Sequence, residues 1–329
     1  MADVPRTGHV DPPLRTLARM PSPRLLLLDS ASLYFRAFFG VPDQRTDPAQ
    51  PPTNAVRGFL DMIATLVKDH RPTHLAACWD NDWRPQWRVE LIPSYKTHRL
   101  TQGSATVEES PEDLTPQVPL IVDALAALGI TRVGCDGYEA DDVIGTLATR
   151  HRREHAIDIV TGDRDLLQLV DDASATRVLY TGKGGVREPD LATQGYLHER
   201  YGVRSGDAYL DMSILRGDTS DGLPGVRGIG DKTAAQLIAE YGSLAGVRAA
   251  LEGGDPALKG ARRSNLEAAT AYLDVAPRVV GVARSAPVPH LDLALPRAVA
   301  DARLLSHLAA TYALTGPINR VLSALGIED

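Results

Sequence analysis

Three short apolar runs, each broken by an aspartate at its carboxyl end, constrain this chain more than any other feature. Leu25-Leu26-Leu27-Leu28 ends on Asp29. His74-Leu75-Ala76-Ala77-Cys78-Trp79 ends on Asp80, and Ala156-Ile157-Asp158-Ile159-Val160 runs through Thr161-Gly162 into Asp163-Arg164-Asp165. Continuous apolar runs of this length suit strands buried on both faces. Helical patterns lie between them, one of them from Asn54 to Asp69. Strands separated by helices imply parallel pairing in a doubly wound sheet, whose carboxyl edge is where sites form. One aspartate after a strand is an ordinary turn or helix cap. Three, all at the same end, point to a shared acidic site.

A fourth acidic stretch joins them. Gly137-Tyr138-Glu139-Ala140-Asp141-Asp142-Val143-Ile144 puts three carboxylates into four positions before an apolar helical pattern. With a helix starting near Tyr138, Glu139 and Asp142 share a face. The macrodipole accounts for acids in a first turn. Gathered carboxylates nevertheless repel, and a fold that collects them needs protons, cations or solvent. Arg216-Gly217-Asp218-Thr219-Ser220-Asp221-Gly222-Leu223-Pro224 adds two more. Asp29, Asp80, Glu139, Asp141, Asp142, Asp163, Asp165, Asp218 and Asp221 offer oxygen donors with no His or Cys among them, a set for hard cations, Mg²⁺ or Mn²⁺. So many acids exceed what one octahedral ion needs. Two ions about 3.5–4 Å apart suit in-line phosphoryl displacement.

The partner has to be read from charge distribution. The net charge of −7 argues against nucleic acid, yet bound divalent ions reverse the local sign at an acidic cluster. Trp83, Arg84, Trp87, Arg88, Tyr95, Lys96, His98 and Arg99 interleave bases with aromatics, as on a surface that tracks single strands. Trp83 and Trp87 equally suit a buried helical stripe. Gly225-Val226-Arg227-Gly228-Ile229-Gly230-Asp231-Lys232-Thr233 has the glycines that let backbone N–H groups approach a phosphate ahead of a helix, and it also reads as an ordinary Gly-rich turn. It is not a nucleotide P-loop, and Gly182-Lys183-Gly184-Gly185 reads as a hairpin tip. Cys78 and Cys135 carry no disulfide or metal spacing and are expected to pack as small apolar residues.

At 329 residues and 43% hydrophobic content a large core or two domains are available. Residues 1–22, rich in Pro and Arg, read as a mobile tail without secretion-signal pattern. No apolar run reaches spanning length, so a soluble, cytoplasmic protein without membrane contact is expected.

With these motifs in place the chain resembles the 5′-nuclease family: the N-terminal nuclease domain of bacterial DNA polymerase I, the phage 5′-exonucleases and the flap endonucleases. The resemblance rests on LLLLDS with Tyr34-Phe35-Arg36-Ala37-Phe38, WD at Asp80, IPSYKTHR over 92–99, GYEADDVIGT, IVTGDRDLLQLV, LRGDTSDGLPGVRGIGDKTAAQL and Tyr241-Gly242-Ser243-Leu244, in family order over residues 24–275. It implies an α/β, parallel-sheet catalytic core (23–205) with a basic and aromatic arch region (82–115). A helical helix-hairpin-helix-type DNA-binding subdomain (206–290) and C-terminal helices packing on the body (291–329) follow. The chain reads as a free-standing member without a polymerase segment.

The implied activity is that of a metal-dependent 5′-3′ exonuclease and flap endonuclease cutting DNA near single-strand/duplex junctions in replication and repair. By resemblance, Asp80, Glu139 and Asp141 hold one metal with Asp29 in or near its shell. Asp163, Asp165, Asp218 and Asp221 hold the second, with Asp141 or Asp142 between. One ion activates water, and the other steadies the leaving 3′-oxygen. Lys96 and Arg99 match the basic pair at the scissile phosphate, and Pro93 is expected to open a helix that puts both on one face. Arg36 and Tyr95 match substrate-contact positions. Gly228, Gly230 and Lys232 fall in the duplex-gripping hairpin, which in several members holds K⁺ through carbonyls, here those of Leu215, Arg216, Pro224, Val226 and Ile229. A monomer acting on 5′-flap, nicked or branched DNA is expected, with no recruiting polymerase or clamp identifiable.

There are departures. Gly222 stands where many relatives carry Asn, Phe39 where many carry His, and Thr53-Asn54-Ala55 replaces Thr-Gly-Ala. The usual Pro-rich continuation after Arg99 is missing. Two other classes compete: a metal-dependent ribonuclease of PIN-like architecture, which needs no duplex-gripping hairpin, and a non-catalytic DNA binder, which needs no acids.

Overall fold

The computed structural model describes residues 23–45 and 50–327. The expected tail, 1–22, lies outside them. The elements run β1 (Arg24–Asp29), α1 (Ser30–Gly40), α2 (Asn54–His70), β2 (His74–Trp79), α3 (Gln86–Leu91), α4 (Gln117–Leu128), β3 (Arg132–Gly134), α5 (Ala140–His151), β4 (Ala156–Thr161), β5 (Thr176–Gly184) and β6 (Glu188–Ala192). A helical half follows: α6 (Gln194–Tyr201), α7 (Gly206–Arg216), α8 (Asp231–Tyr241), α9 (Leu244–Glu252), α10 (Gly260–Ala268), α11 (Thr270–Val280), α12 (Ala302–Thr311) and α13 (Thr315–Leu325).

The sheet has the order β3-β2-β1-β4-β5-β6, parallel except for the β5–β6 hairpin. Leu25 to Leu28 are fully buried because β1 sits centrally between β2 and β4. Its alternate side chains feed two cores. Leu25 and Leu27 face α5 and the helical half, and Leu26 and Leu28 face α2, α4 and the C-terminal helices. The chain builds β1, β2 and β3 outward on one side and then returns to place β4 on the other. The β1/β4 boundary is therefore the point where strand order reverses, the place a doubly wound sheet leaves a crevice.

Both cysteines are buried and free, as small core residues. The hairpin tip at Gly185 is as expected: β5 and β6 pair antiparallel across it. α13 packs on α2 and α12 on α4, so the last helices close the second core. No helix among the described residues is long and apolar enough to cross a membrane.

Two local expectations fail. The acidic helix starts at Ala140, not Tyr138, because Glu139 is its cap: its side chain and that of Asp142 bond each other's backbone N–H in a capping box. Pro93 opens no helix either. Lys96 lies in the left-handed region (φ 50°), which breaks any regular helix, and only a 3-10 turn, Thr97–Arg99, follows.

Candidate active site

Asp29, Asp80, Glu139, Asp141 and Asp163 line one cleft of about 830 Å³ together with Lys96 and Arg99. The fold delivers them by strand ends and one helix cap. Asp29 caps α1, accepting from Ser32 N at 3.1 Å, and accepts from the Thr161 hydroxyl at 2.6 Å. The same hydroxyl accepts from Asp163 N at 2.8 Å, so a single threonine ties the ends of β1 and β4. Asp80 accepts from Ala140 N at 2.8 Å, which ties the end of β2 to the start of α5. Asp163 in turn accepts from Asp165 N at 2.8 Å. The cap reading and the site reading are both true: the backbone contacts are what hold the carboxylates in place.

The electrostatics divide the acids into two groups that meet at Asp163. Burial pushes Asp29 up to about 7, with the Asp80 and Asp163 charges adding and the bonds from Thr161 and Ser32 opposing. Burial, then Asp163, Asp29 and Glu139, hold Asp141 well above the usual carboxylate range. Burial also raises Asp80. On the other side, burial and then Asp163, Asp221 and Asp218 raise Asp165. Carboxylates that resist ionisation together, in a cleft open to solvent, are a set whose charged form a bound cation would stabilise.

Protein cations stand at the rim of each group. The Lys96 ammonium is 2.7 Å from Glu139 Oε2. Burial lowers its proton affinity, but Glu139, Tyr95, Asp221 and Asp141 more than reverse this and keep it charged. Arg99 reaches Asp221 at 2.5 Å, and Arg164 pairs with Asp218. Ser220 N also bonds Asp218 at 2.8 Å. The cleft lining carries carboxylates and no His or Cys, a donor set that fits hard divalent ions; Asp165, Asp218 and Asp221 are not on that lining.

Several expected roles change. Asp142 leaves the acidic set: it is fully buried, bound by both Arg88 guanidinium nitrogens at 2.7 Å and by Ala283 N at 2.7 Å. With no surface exposed to the cleft and both oxygens held by Arg88, it is not a metal ligand but the anchor between α3, α5 and the segment after α11. Tyr95 is no DNA contact: it is 4% exposed, and its hydroxyl donates to Glu139 at 2.9 Å, orienting that carboxylate. Arg36 donates to the carbonyls of Thr181 and Gly182 and ties α1 to β5. Trp83 and Trp87 form no single helical stripe, since α3 begins at Gln86; their indoles bond Thr106 O and Gly137 O.

Other cleft residues have no local signal in the sequence. Glu108 and Glu109 line it because an antiparallel bridge, Leu100 to Glu108, folds the arch region back. Arg164 was visible only as the base between two acids in Asp163-Arg164-Asp165.

The departures have local explanations. Gly222 (φ +69°) lies against the arch region, where a Cβ would come within 2.0 Å of Ser94 O; no asparagine fits. The Ser94 hydroxyl donates to Gly222 O at 2.6 Å and Lys96 N to Asp221 O at 2.9 Å. Asn54 bonds Phe38 O, Val41 O and Gln117, joining α1, α2 and α4.

In the hairpin, Gly217 and Gly225 (φ +76° and +62°) pack backbone on backbone. Val226 N donates to Leu215 O at 2.9 Å and Ile229 N to Val226 O at 3.0 Å, and Asn265 pins Arg227 O at 2.8 Å. Gly228 (φ +75°) lies against the Asn265 side-chain amide, which a Cβ would meet at 3.4 Å, whereas a Cβ at Gly230 would meet nothing within 4 Å; Lys232 is exposed.

An acidic cleft at the switch point of a parallel sheet, in a chain that also carries a glycine hairpin, fits a nuclease. The comparisons agree. Family models described as "5'-3' exonuclease, N-terminal resolvase-like domain" and "5'-3' exonuclease, C-terminal SAM fold" match residues 24–202 and 205–301. The chain is 55% identical to a 5′-3′ exonuclease of Streptomyces coelicolor, over 91% of this chain and 99% of the relative. It is 48% identical to a 5′-3′ exonuclease of Mycobacterium tuberculosis, over 93% and 98%. A bacteriophage T5 D15 flap endonuclease solved with DNA and metal ions shares the fold at TM-score 0.59 and 16% identity, over 92% of this chain and 99% of that one. The chain belongs to the 5′-3′ exonuclease family.

The raised carboxyls give a pH signature. A carboxyl whose folded pKa exceeds its unfolded value binds its proton more tightly when folded, so its support for the fold is complete below about 3.8 and declines as pH rises toward 7. Divalent ions that bind the ionised folded form relieve this. The rise in melting temperature produced by Mg²⁺ is expected to grow between about pH 5 and pH 8. Calorimetry with Mg²⁺ and with EDTA checks this; a gain independent of pH would contradict it.

Proposed function

We propose that this nuclease is structure-specific, cutting 5′-flap, nicked or branched DNA near the junction of single strand and duplex, as a monomer with two Mg²⁺ or Mn²⁺ ions. The observation that carries the reading is the pairing of an acidic cleft with a separate backbone hairpin. Asp80, Glu139 and Asp141, with Asp29 beside them, would hold one ion; Asp163, Asp165, Asp218 and Asp221 would hold the other. Bound ions supply Lewis acidity toward the scissile phosphate and the attacking water. The chain's own groups do the rest. Tyr95 and Lys96 fix Glu139, Lys96 and Arg99 bring positive charge to the phosphate, and Arg164 holds Asp218 in place.

Gly228, Gly230 and Lys232 would grip duplex phosphates, because exposed backbone N–H groups ahead of α8 favour an anion. The carbonyls of Leu215, Arg216, Pro224, Val226 and Ile229 would hold K⁺; those of Leu215 and Val226 each accept one N–H and keep a second lone pair. Lys96 and Arg99 on the cleft lining suit the phosphate at the base of the single-stranded arm. Domain limits near 205 and 290, and action in the cytoplasm, belong to the same reading. A PIN-like ribonuclease gains no support from the hairpin.

The test is cleavage of matched 5′-flap DNA, blunt duplex and single-stranded RNA with Mg²⁺, Mn²⁺ or EDTA, in wild type and Gly230→Val. Flap DNA is expected to be cut fastest. A Cβ at residue 230 meets nothing within 4 Å, so the variant folds. It should weaken binding to flap and plain duplex alike and affect single-strand cutting less. An unchanged duplex Kd would leave the hairpin a structural turn, and equal cutting of RNA would favour the ribonuclease.

A further inference from the structure

The amino edge of the sheet carries a second cluster that the nuclease reaction does not use. α5 ends at His151, and the turn to β4 contains Glu154 and His155. One ligand atom from each, two imidazole nitrogens and a carboxylate oxygen, lie within 4.8 Å of one another. A tetrahedral zinc with 2.0–2.1 Å bonds needs its ligands roughly 3.3 Å apart. Side-chain rotation of partly exposed residues on a turn covers the difference.

His155 adds an independent observation: its Nδ1 is buried and has no hydrogen-bond partner. An orphaned ring nitrogen is costly unless something satisfies it. Its ring stands edge-on to His74, with centroids 4.4 Å apart, and to His151, at 5.6 Å. His74 is itself held by Thr73, whose hydroxyl lies 2.8 Å from its Nδ1, so one wall of the cluster is fixed. The nearest arginine of α5, Arg150, is turned away onto the carbonyls of Val288 and Pro289.

We propose that His151, Glu154 and His155 form a second metal site, selective for a borderline divalent ion of the zinc class. The acidic cleft takes hard ions; two imidazoles and one carboxylate are a zinc donor set. The two sites lie at opposite ends of the same strands, because His155 precedes β4 and Asp163 follows it. Six residues of strand separate them by roughly 20 Å. Zinc there would pin the end of α5 to the start of β4. It would act on stability, not on the cleavage step.

The experiment is calorimetric titration of the full chain with ZnCl₂ in excess Mg²⁺, in wild type, Asp163→Ala, His155→Ala and Glu154→Gln. Zinc binding is expected to persist in Asp163→Ala. Losing a direct ligand should cost at least the roughly 10–100-fold that loss of an outer-shell partner costs, so His155→Ala and Glu154→Gln should weaken it by that factor or more. Glu154 is exposed, so Glu154→Gln keeps the fold. Zinc should also raise the melting temperature of Asp163→Ala but not of His155→Ala. Equal zinc affinity in Asp163→Ala, His155→Ala and Glu154→Gln, or binding lost in Asp163→Ala alone, would overturn the site.

Discussion

Asp163→Ala is expected to abolish cleavage while flap-DNA affinity persists. Asp163 is where the two acidic groups meet: it faces Asp29 and Asp141 on one side and Asp165 on the other. Its carboxylate also fixes the backbone at Asp165, so one substitution removes a ligand shared between groups and loosens the next. The rate should fall at least about 10³-fold, the upper end of what a single electrostatic donor costs. Binding rests on basic and backbone contacts elsewhere, and the loss of one charge from a repelling cluster does not oppose it. Folding should hold, since removing a like charge from crowded carboxylates relieves repulsion. Single-turnover cleavage and a binding isotherm on the same flap DNA separate the two effects. Wild-type activity of the mutant at saturating Mn²⁺ would remove Asp163 from the metal set.

Residues that act through strand ends were legible in the sequence, and residues that act through long-range pairing were not. An apolar run followed by aspartate encodes both the strand and its carboxyl edge, so Asp29, Asp80 and Asp163 could be placed together without coordinates. β3, only three residues long, and β5–β6 have weaker patterns and depend on the sheet they join. Asp142 shows the limit most sharply. Its spacing from Glu139 is right for one helix face, but the capping box turns Glu139 into the cleft and Asp142 toward Arg88, which lies 54 positions away in the chain. No local pattern contains that partner. Tyr95 shows the same limit: a tyrosine among bases has the pattern of a stacking surface, but its hydroxyl is on the buried Glu139. Gly222 reversed in the other direction. It departs from the Asn of many relatives and is the residue that admits the Ser94–Lys96 backbone.

Lys96→Ala should lower the single-turnover rate by about 10²–10³-fold while substrate binding weakens only modestly. Lys96 is 8% exposed, so it is poorly placed to attract DNA at a distance; an exposed lysine would be. It is held charged by Glu139 at 2.7 Å and lies 3.3 Å from Trp83 O, at the rim between the acids and the arch region. In the transition state the scissile phosphate spreads extra negative charge over its oxygens, and a fixed ammonium is worth more there than in the ground state. The substitution adds no backbone strain, because lysine already occupies the left-handed conformation at φ 50° and alanine would do the same. Glu139 is not left bare either: Tyr95 stays at 2.9 Å and Arg88 at 3.4 Å. Lys96→Gly serves as the control, since it removes the same charge and relaxes the backbone; it should be as slow as Lys96→Ala. Arg99→Ala, at a more exposed position paired with Asp221, should weaken binding more than Lys96→Ala does. A single-turnover rate for Lys96→Ala within a few-fold of wild type, with weaker binding, would make Lys96 a residue that gathers DNA and leave the chemistry to the acids alone.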